Sequence, residues 1–184
     1  MRHKLLSTLG LMVLALVGFA ASPAGAATTA AGPYYANPSW DQTLPSSTRF
    51  IVLSNMNGEA VLDRETGLVW EQSPSTYGGF TWSAAQLHCI DLNAGGRTGW
   101  RLPTIQELMS LVDRSMSFPA LPSGHPFSNV RSGYWSATTF ATNTTDASGA
   151  WDVFLGFGSV VTVNKSSYTD FAWCVRGRQG VDPQ

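Results

Sequence analysis

The chain has 184 residues, and only 12% of them are charged, with 11 lysines and arginines against 12 aspartates and glutamates. This balance argues against a nucleic-acid-binding protein, because such proteins normally carry a surplus of basic residues. Average domains have about 25% charged residues, so the polar surface must come largely from Ser, Thr, Asn and Gly. Such a composition suits an exported domain that is rich in β-strands.

Residues 1–26 have the pattern of a signal peptide. Arg2 and Lys4 give a positive start, the run from Leu5 to Ala21 is apolar, and residues 24–26 form an A-x-A cleavage site. Cleavage leaves roughly 158 residues, enough for one domain. It also leaves 9 basic residues against 12 acidic ones, a net charge of about −3. We therefore expect an exported protein, periplasmic or extracellular, without a membrane span after cleavage.

Composition then divides the chain into an arm, a domain and a tail. Residues 27–48 are rich in Ala, Thr, Pro and Ser, which predicts a linker or flexible arm. Regular elements are predicted from residue 49 onwards, and one domain is expected over residues 49–179. Residues 180–184 form the tail.

Short apolar runs predict the first strands. A strand is expected at residues 49–53. Two apolar runs, at 60–62 and 68–70, enclose a loop that ends at Gly67. Short strands on either side of a glycine-containing loop are typical of a β-hairpin.

Two helices are predicted next. Thr81 is a suitable N-cap for the first, and Asn93 and the following glycines end it. The second begins at Thr104, because Glu107 lies three residues later and completes a capping box. This structural role explains Glu107 better than a role as general acid. The residues expected on the buried faces are Trp82, Ala85, Cys89 and Leu92 in the first helix, and Ile105, Leu108, Met109 and Val112 in the second.

The second half of the chain is predicted to be rich in loops. Prolines and glycines interrupt residues 115–133. A strand is expected at 134–138, a hairpin with strands at 150–155 and 159–163, and a last strand at 171–176. The order of elements predicts an α+β fold, with two helices packed on antiparallel sheets.

Cys89 and Cys174 are the two cysteines of the chain. In an oxidising compartment they most simply form one disulfide bond. It would close a loop of about 85 residues and stabilise the fold by about 4–5 kcal/mol in the chain-entropy model. A reactive or metal-binding pair is the alternative, but the wide separation gives no C-x-x-C signature.

No pattern of residues predicts an active site. His88 and His125 remain after cleavage and have no assignable partners. The G-x-S-x-G sequence of a serine nucleophile is absent. A zinc site needs three or four converging ligands, which scattered carboxylates and two histidines do not supply. We expect no catalytic residue, no metal and no cofactor.

Five short segments carry a resemblance to a known family. They are residues 63–70 (D-R-E-T-G-L-V-W), 100–104 (W-R-L-P-T), 134–138 (Y-W-S-A-T), 150–153 (A-W-D-V) and 174–177 (C-V-R-G). Their residues and order resemble the Lcl C-terminal domain family of exported bacterial proteins. The resemblance covers about residues 49–179.

The segment 101–107 (R-L-P-T-x-x-E) is also similar to one in the formylglycine-generating enzymes, which have a C-type-lectin-like fold. This resemblance implies that fold, in which a disulfide joins a helix to a late strand and the termini share a sheet. Their copper site is not implied, because a disulfide between Cys89 and Cys174 leaves no spare thiol. Calcium-dependent sugar binding is not implied either, since the Glu-Pro-Asn and Gln-Pro-Asp motifs are absent.

The family resemblance implies a non-enzymatic recognition domain that binds a glycan or a protein at the cell surface or in the periplasm. The family's attraction for sulfated polysaccharides would need a basic patch, which a net charge of about −3 does not favour. The alternatives are an enzyme related to the formylglycine-generating group, and a structural or assembly module within an oligomer.

The binding surface is expected on the loops of the second half. The candidate ligand-binding residues are Arg131, Asn143, Asp146, Lys165, Tyr168 and Asp170. Trp40 and Trp173 lie outside the family's motif positions and are further candidates for ligand contact. The other five tryptophans are expected in the core.

Overall fold

The structure is a computed structural model of the chain. It describes residues 28–30, 44–141 and 147–177. The predicted signal peptide at 1–26 and the tail at 180–184 lie outside these ranges. The described residues form a mixed α and β fold with two sheets and few helices, which confirms the α+β prediction.

The elements are, in chain order, β1 (Thr28–Ala30), α1 (Ser46–Arg49), β2 (Phe50–Leu53), β3 (Ala60–Asp63), β4 (Val69–Glu71), α2 (Trp82–Asp91), α3 (Ile105–Ser110), β5 (Gly133–Phe140), β6 (Gly149–Phe154), β7 (Ser159–Asn164) and β8 (Val175–Arg176). A single 3₁₀ turn at Ser54–Met56 follows β2. The predicted arm at 27–48 contains β1 and most of α1.

One sheet has five strands in the order β1-β2-β3-β4-β8. β1 runs parallel to β2, and the other neighbours are antiparallel. The predicted hairpin is β3 and β4, and Gly67 in its loop has a φ of 71°, a left-handed conformation that favours glycine.

The other sheet has three antiparallel strands in the order β5-β6-β7. Its predicted hairpin is β6 and β7, with Gly158 in the turn at a φ of 68°. A side chain at Gly158 would place its Cβ 2.5 Å from Val112 Cγ1. Glycine is therefore required there by both conformation and space.

Both faces of the five-stranded sheet are covered, because side chains along a strand point alternately to opposite sides. Phe50, Val61 and Trp70 belong to one apolar cluster, while Ile51 and Leu62 belong to a second. The first cluster is completed by α3 and the loop after it, and the second by α2. The three-stranded sheet contributes to both clusters.

The start of α3 has the predicted capping box. Thr104 Oγ1 accepts the N–H of Glu107 at 3.3 Å, and Thr104 N–H donates to Glu107 Oε2 at 2.8 Å. Thr81 is the N-cap of α2, but its side chain makes no capping hydrogen bond. Both predicted helix starts are therefore confirmed. A side-chain hydrogen bond caps the start of α3, whereas the start of α2 lacks one.

The predicted last strand at 171–176 is reduced to the two residues of β8. The reason is that the chain crosses between the sheets there. Trp135 N–H donates to the carbonyl of Phe171, in the three-stranded sheet, whereas Glu71 N–H donates to the carbonyl of Cys174, beside the five-stranded sheet. These six residues pair with two different sheets, so they do not form one continuous strand.

The predicted disulfide is present between Cys89 in α2 and Cys174, the residue before β8. Both cysteines are fully buried in the second apolar cluster. Within the described ranges, no helix has the length and apolar character needed to cross a membrane.

Candidate functional site

A cluster of buried charges joins the first strands to α3. Arg49 donates from Nε to Asp63 Oδ1 at 2.9 Å and from a terminal nitrogen to Asp63 Oδ2 at 2.8 Å. It also donates to the carbonyl of Ser110 at 2.7 Å and lies 3.5 Å from Glu65 Oε2. Arg49, Asp63 and Glu65 are each no more than 1% exposed. This charged cluster connects elements of the core, and its role is structural.

Glu107 is also held by an arginine. Arg101 donates to its two carboxylate oxygens at 2.7 and 2.6 Å, a two-pronged ion pair. One of these oxygens also accepts the N–H of Thr104. With Glu107 fully buried, its carboxylate is fully used by the capping box and the ion pair.

Asp152 and Asp170 form a different kind of acidic group. Asp152 lies on β6 opposite Trp135 of β5, and Asp170 lies over Gly133, where any side chain would overlap Asp170 Oδ2. The two aspartates are 2% and 8% exposed. Within the described ranges, neither forms an ion pair with a basic side chain.

The raised pKa values of both groups indicate that the two carboxyl groups share one proton. Burial is the largest of the causes that raise the pKa of Asp152. The adjacent charge of Asp170 and a hydrogen bond between the two groups raise it further. Burial also raises the pKa of Asp170, while the Phe171 N–H, which donates to Oδ1 at 2.8 Å, opposes that rise. Asp152 is therefore the protonated donor and Asp170 the acceptor.

Aromatic side chains surround Asp170. Tyr168 O–H donates to Asp170 Oδ2 at 3.5 Å, and its ring meets the Trp135 ring edge-on at 5.8 Å. Phe80 pairs with Asp170 through the backbone, and its ring contacts Tyr77 at 4.9 Å. Tyr77 is 63% exposed and Tyr168 is 43% exposed. We name Tyr77, Phe80, Trp135, Tyr168 and Asp170 the polar–aromatic surface.

A third acid without a cationic partner lies nearby. Burial raises the pKa of Glu71 to about 7, and the N–H of Cys174 partly offsets this. Glu71 interacts electrostatically with Tyr134, whose pKa is raised mainly by its own burial. Tyr134 Oη accepts the N–H of Arg131 at 2.7 Å. The interior here therefore contains three acids, Glu71, Asp152 and Asp170, whose pKa values are raised by burial.

The structure brings together only part of the predicted binding set. Tyr168 and Asp170 are in contact. Arg131 is exposed, with its guanidinium 5.9 Å from the centre of the Phe171 ring. Lys165 is held elsewhere: its Nζ lies 4.1 Å above the Trp82 ring and donates to Thr139 Oγ1 at 2.9 Å and to the carbonyl of Ala147 at 2.8 Å. Asn143, Asp146 and Trp40 lie outside the described residues.

The prediction that Trp173 contacts a ligand is wrong. Trp173 is fully buried, and its ring packs against Trp70, Phe127 and Tyr134. Its indole N–H donates to the carbonyl of Glu71 at 2.8 Å. A large apolar ring whose single donor is satisfied belongs to the core. Of the five tryptophans predicted to lie in the core, Trp70, Trp100 and Trp135 are buried, and Trp82 and Trp151 are half-buried.

The described residues offer no metal-binding group of three or more His, Cys, Asp or Glu side chains. The disulfide takes up both cysteines of the chain. His88 packs on the Phe80 ring at 4.7 Å, and burial lowers its pKa. His125 stacks on Phe127, and burial lowers its pKa as well.

A model of the Lcl C-terminal domain matches residues 59–176. The chain belongs to this family. The matched region runs from just before β3 to the end of β8, so this Lcl C-terminal domain contains the whole polar–aromatic surface and the aspartate pair. Arg49 lies before it. Among curated proteins, no sequence matches the chain.

Sequence reasoning missed Asp152 as the partner of Asp170. One signal was available, because Asp152 interrupts the apolar run of residues 150–155 (A-W-D-V-F-L) in a predicted strand. An acid in such a run must find a partner or become neutral. Its partner was not readable, because Asp170 belongs to a loop 18 positions later.

Proposed function

We propose that this Lcl C-terminal domain is an exported, non-enzymatic recognition domain that binds a glycan or a protein at the cell surface or in the periplasm. The observation that carries the proposal is the polar–aromatic surface. The exposed side chain of Tyr168 lies beside the buried carboxyl group of Asp170. The exposed ring of Tyr77 contacts the ring of Phe80, and Phe80 pairs with Asp170 through the backbone. Aromatic faces and a few fixed polar groups are the usual components of a binding site.

The fixed geometry of this surface supports binding rather than simple solvent exposure. Trp135 Nε1–H donates to the carbonyl of Phe80 at 2.8 Å, and the backbone N–H of Asp170 donates to the same residue at 3.0 Å. Gly78 allows the loop to lie directly on the Phe171 ring, where a Cβ would be 2.5 Å from it. Tyrosine loses little conformational entropy on binding, so a tyrosine that is already fixed in place contributes contact area at a low entropic cost.

We further propose that the scaffold is C-type-lectin-like and that the chain is exported. A disulfide joins α2 to the residue before the last strand, and the first and last strands belong to the same sheet. Both features agree with that fold. A disulfide bond is also expected in an oxidising compartment outside the cytoplasm.

The test is binding of the intact protein to an array of neutral and acidic glycans and to bacterial cells, compared with Tyr168→Ala. We expect at least tenfold weaker binding by the variant. Because Tyr168 is exposed, the free energy of unfolding of the variant should stay within about 1 kcal/mol of the wild-type value. Ile90→Ala is the control, since Ile90 is an exposed apolar residue of α2 that belongs to neither the polar–aromatic surface nor the cavity described below.

Two results would overturn the proposal. One is the absence of binding above background to any glycan or cell. The other is equal loss of binding by Tyr168→Ala and Ile90→Ala, which would exclude the polar–aromatic surface as the binding site.

A further inference from the structure

A small cavity of about 140 Å³ opens beside the loop between α3 and β5. Its walls include Phe118, Val130, Leu155 and Gly156, and Arg131 contributes the charged side chain. None of the residues of the polar–aromatic surface lines it. The volume is well below the roughly 300–1,000 Å³ of sites for drug-sized ligands, and it suits a single amino-acid side chain.

The cavity is held by backbone hydrogen bonds. Phe118 N–H donates to the carbonyl of Gly156 at 3.0 Å, and Ala120 N–H donates to that of Leu155 at 2.7 Å. Leu155 N–H in turn donates to the carbonyl of Ser132. These bonds join the loop after α3, the end of β6 and the chain before β5, so three separate segments are held together around the cavity.

Phe118 is unusual in two respects. It is 67% exposed, and its φ of 48° is in the left-handed region that bulky residues rarely adopt. Its ring meets that of Phe157, 62% exposed, at 4.7 Å and nearly at right angles. A side chain at Gly156 would overlap Phe154 and approach Phe118. Phe118 therefore lines the cavity as an exposed ring, and Phe157 packs against it.

Arg131 places a positive charge at the wall of the cavity. Its side chain is exposed, and within the described ranges no carboxylate lies within ion-pair distance of it. Its guanidinium lies 5.9 Å from the centre of the Phe171 ring. An apolar cavity with one unpaired arginine is complementary to a ligand that carries an apolar group and a carboxylate.

We propose that this cavity binds the C-terminal residue of a protein chain, with its apolar side chain in the cavity and its carboxylate on Arg131. Neighbouring side chains of an extended peptide point to opposite sides. The acid of an adjacent Asp or Glu would therefore point away when its neighbour occupies the cavity. A C-terminal residue carries its side chain and its α-carboxylate on the same Cα. It therefore places the side chain in the cavity and the carboxylate on Arg131 at the same time.

The test is an NMR titration of the intact protein with N-acetyl-L-leucine, N-acetyl-L-leucinamide and N-acetylglycine. We expect N-acetyl-L-leucine to shift the amide signals of Arg131, Ser132 and Gly156. The leucinamide and the glycine derivative should bind at least tenfold more weakly, because one lacks the carboxylate and the other the apolar side chain. Arg131→Gln should weaken binding of N-acetyl-L-leucine at least tenfold.

Arg114→Gln is the matched control, because Arg114 is an exposed arginine that does not line the cavity. Equal binding of the three compounds, no shifts with any of them, or equal loss in the two arginine variants would overturn the proposal. Stronger binding of the internal peptide acetyl-Leu-Gly-Glu-amide than of N-acetyl-L-leucine would exclude a C-terminal ligand. The cavity shares no residue with the polar–aromatic surface, so either proposal can fail alone.

Discussion

Asp63 and Glu65, at the end of β3 and in the loop after it, surround the guanidinium of Arg49, whereas Asp152 on β6 lies against the carboxyl group of Asp170. All four acids are almost completely buried. In the Arg49 cluster, the negative charges are balanced by a cation and by hydrogen bonds. In the aspartate pair, one negative charge is removed by keeping a proton.

The difference shows how the two regions are used. A buried ion pair that holds strands and a helix together is costly to disturb on one side only. Two acids that share a proton stabilise less, and their charge state depends on pH. Perturbed acids are more frequent at functional sites than in scaffolding, which agrees with the position of the aspartate pair under the polar–aromatic surface.

The largest expected effect comes from breaking the Arg49 cluster. Arg49→Ala leaves Asp63 and Glu65 buried without a cation, so we expect a loss of about 3–5 kcal/mol in the free energy of unfolding. Urea denaturation followed by tryptophan fluorescence measures it. Arg114→Ala, which removes an exposed arginine, should change stability by less than about 0.5 kcal/mol. A similar small change in both variants would contradict a structural role for Arg49.

A smaller effect is expected from the aspartate pair, and it depends on pH. The pKa of Asp152 is higher in the folded than in the unfolded state, so the folded protein binds the proton more tightly. Its contribution to stability is complete below about pH 4, the ordinary range of a carboxyl group, and is lost as the pH rises towards the folded pKa. Asp152→Asn keeps the neutral, donating form and should gain on the order of 2 kcal/mol over wild type by pH 8.

Thermal unfolding between pH 4 and 9 measures this difference. Asp113→Asn is the control, because Asp113 is a solvent-facing acid whose pKa is lowered by hydrogen bonds from Ser115. Asp113 is ionised throughout that range, so its variant should run parallel to wild type. A parallel curve for Asp152→Asn would show that the aspartates do not share a proton.

The smallest effect compares the two helix starts. Thr104→Ala removes the side-chain acceptor of the capping box that contains Glu107, and should cost about 1 kcal/mol. Thr81→Ala removes a side chain that makes no capping hydrogen bond, and should cost only a few tenths of a kcal/mol. Chemical denaturation of both variants tests the difference. Equal losses would mean that the capping bond at Thr104 contributes nothing measurable.

Much of the fold could be predicted because it depends on short spacings. The capping box needs only Thr104 and Glu107, and the hairpin of β6 and β7 needs only alternation around Gly158. The last strand was overestimated, because its apolar residues serve two sheets and the alternation alone cannot show where the chain crosses. Trp173 was misjudged for the same reason, since it lies in that crossing segment.

The candidate site was harder to predict. Tyr168 and Asp170 were predicted because they are polar or aromatic residues in a late loop. Lys165, from the same stretch, instead lies over the Trp82 ring and donates a hydrogen bond to Thr139. Loop residues that are close in sequence can face different neighbours. The cavity beside Arg131 had no sequence signal, because three separate segments form its walls.

The sequence by itself determined the disulfide, the helix starts, the hairpins and membership of the Lcl C-terminal domain family. Each of these depends on local spacing, on the presence of only two cysteines, or on a set of motifs. Tertiary structure alone decided which acid meets an arginine and which meets another acid. A shift of one residue in strand register turns every side chain to the opposite face, so these encounters are properties of the assembled sheets rather than of any segment.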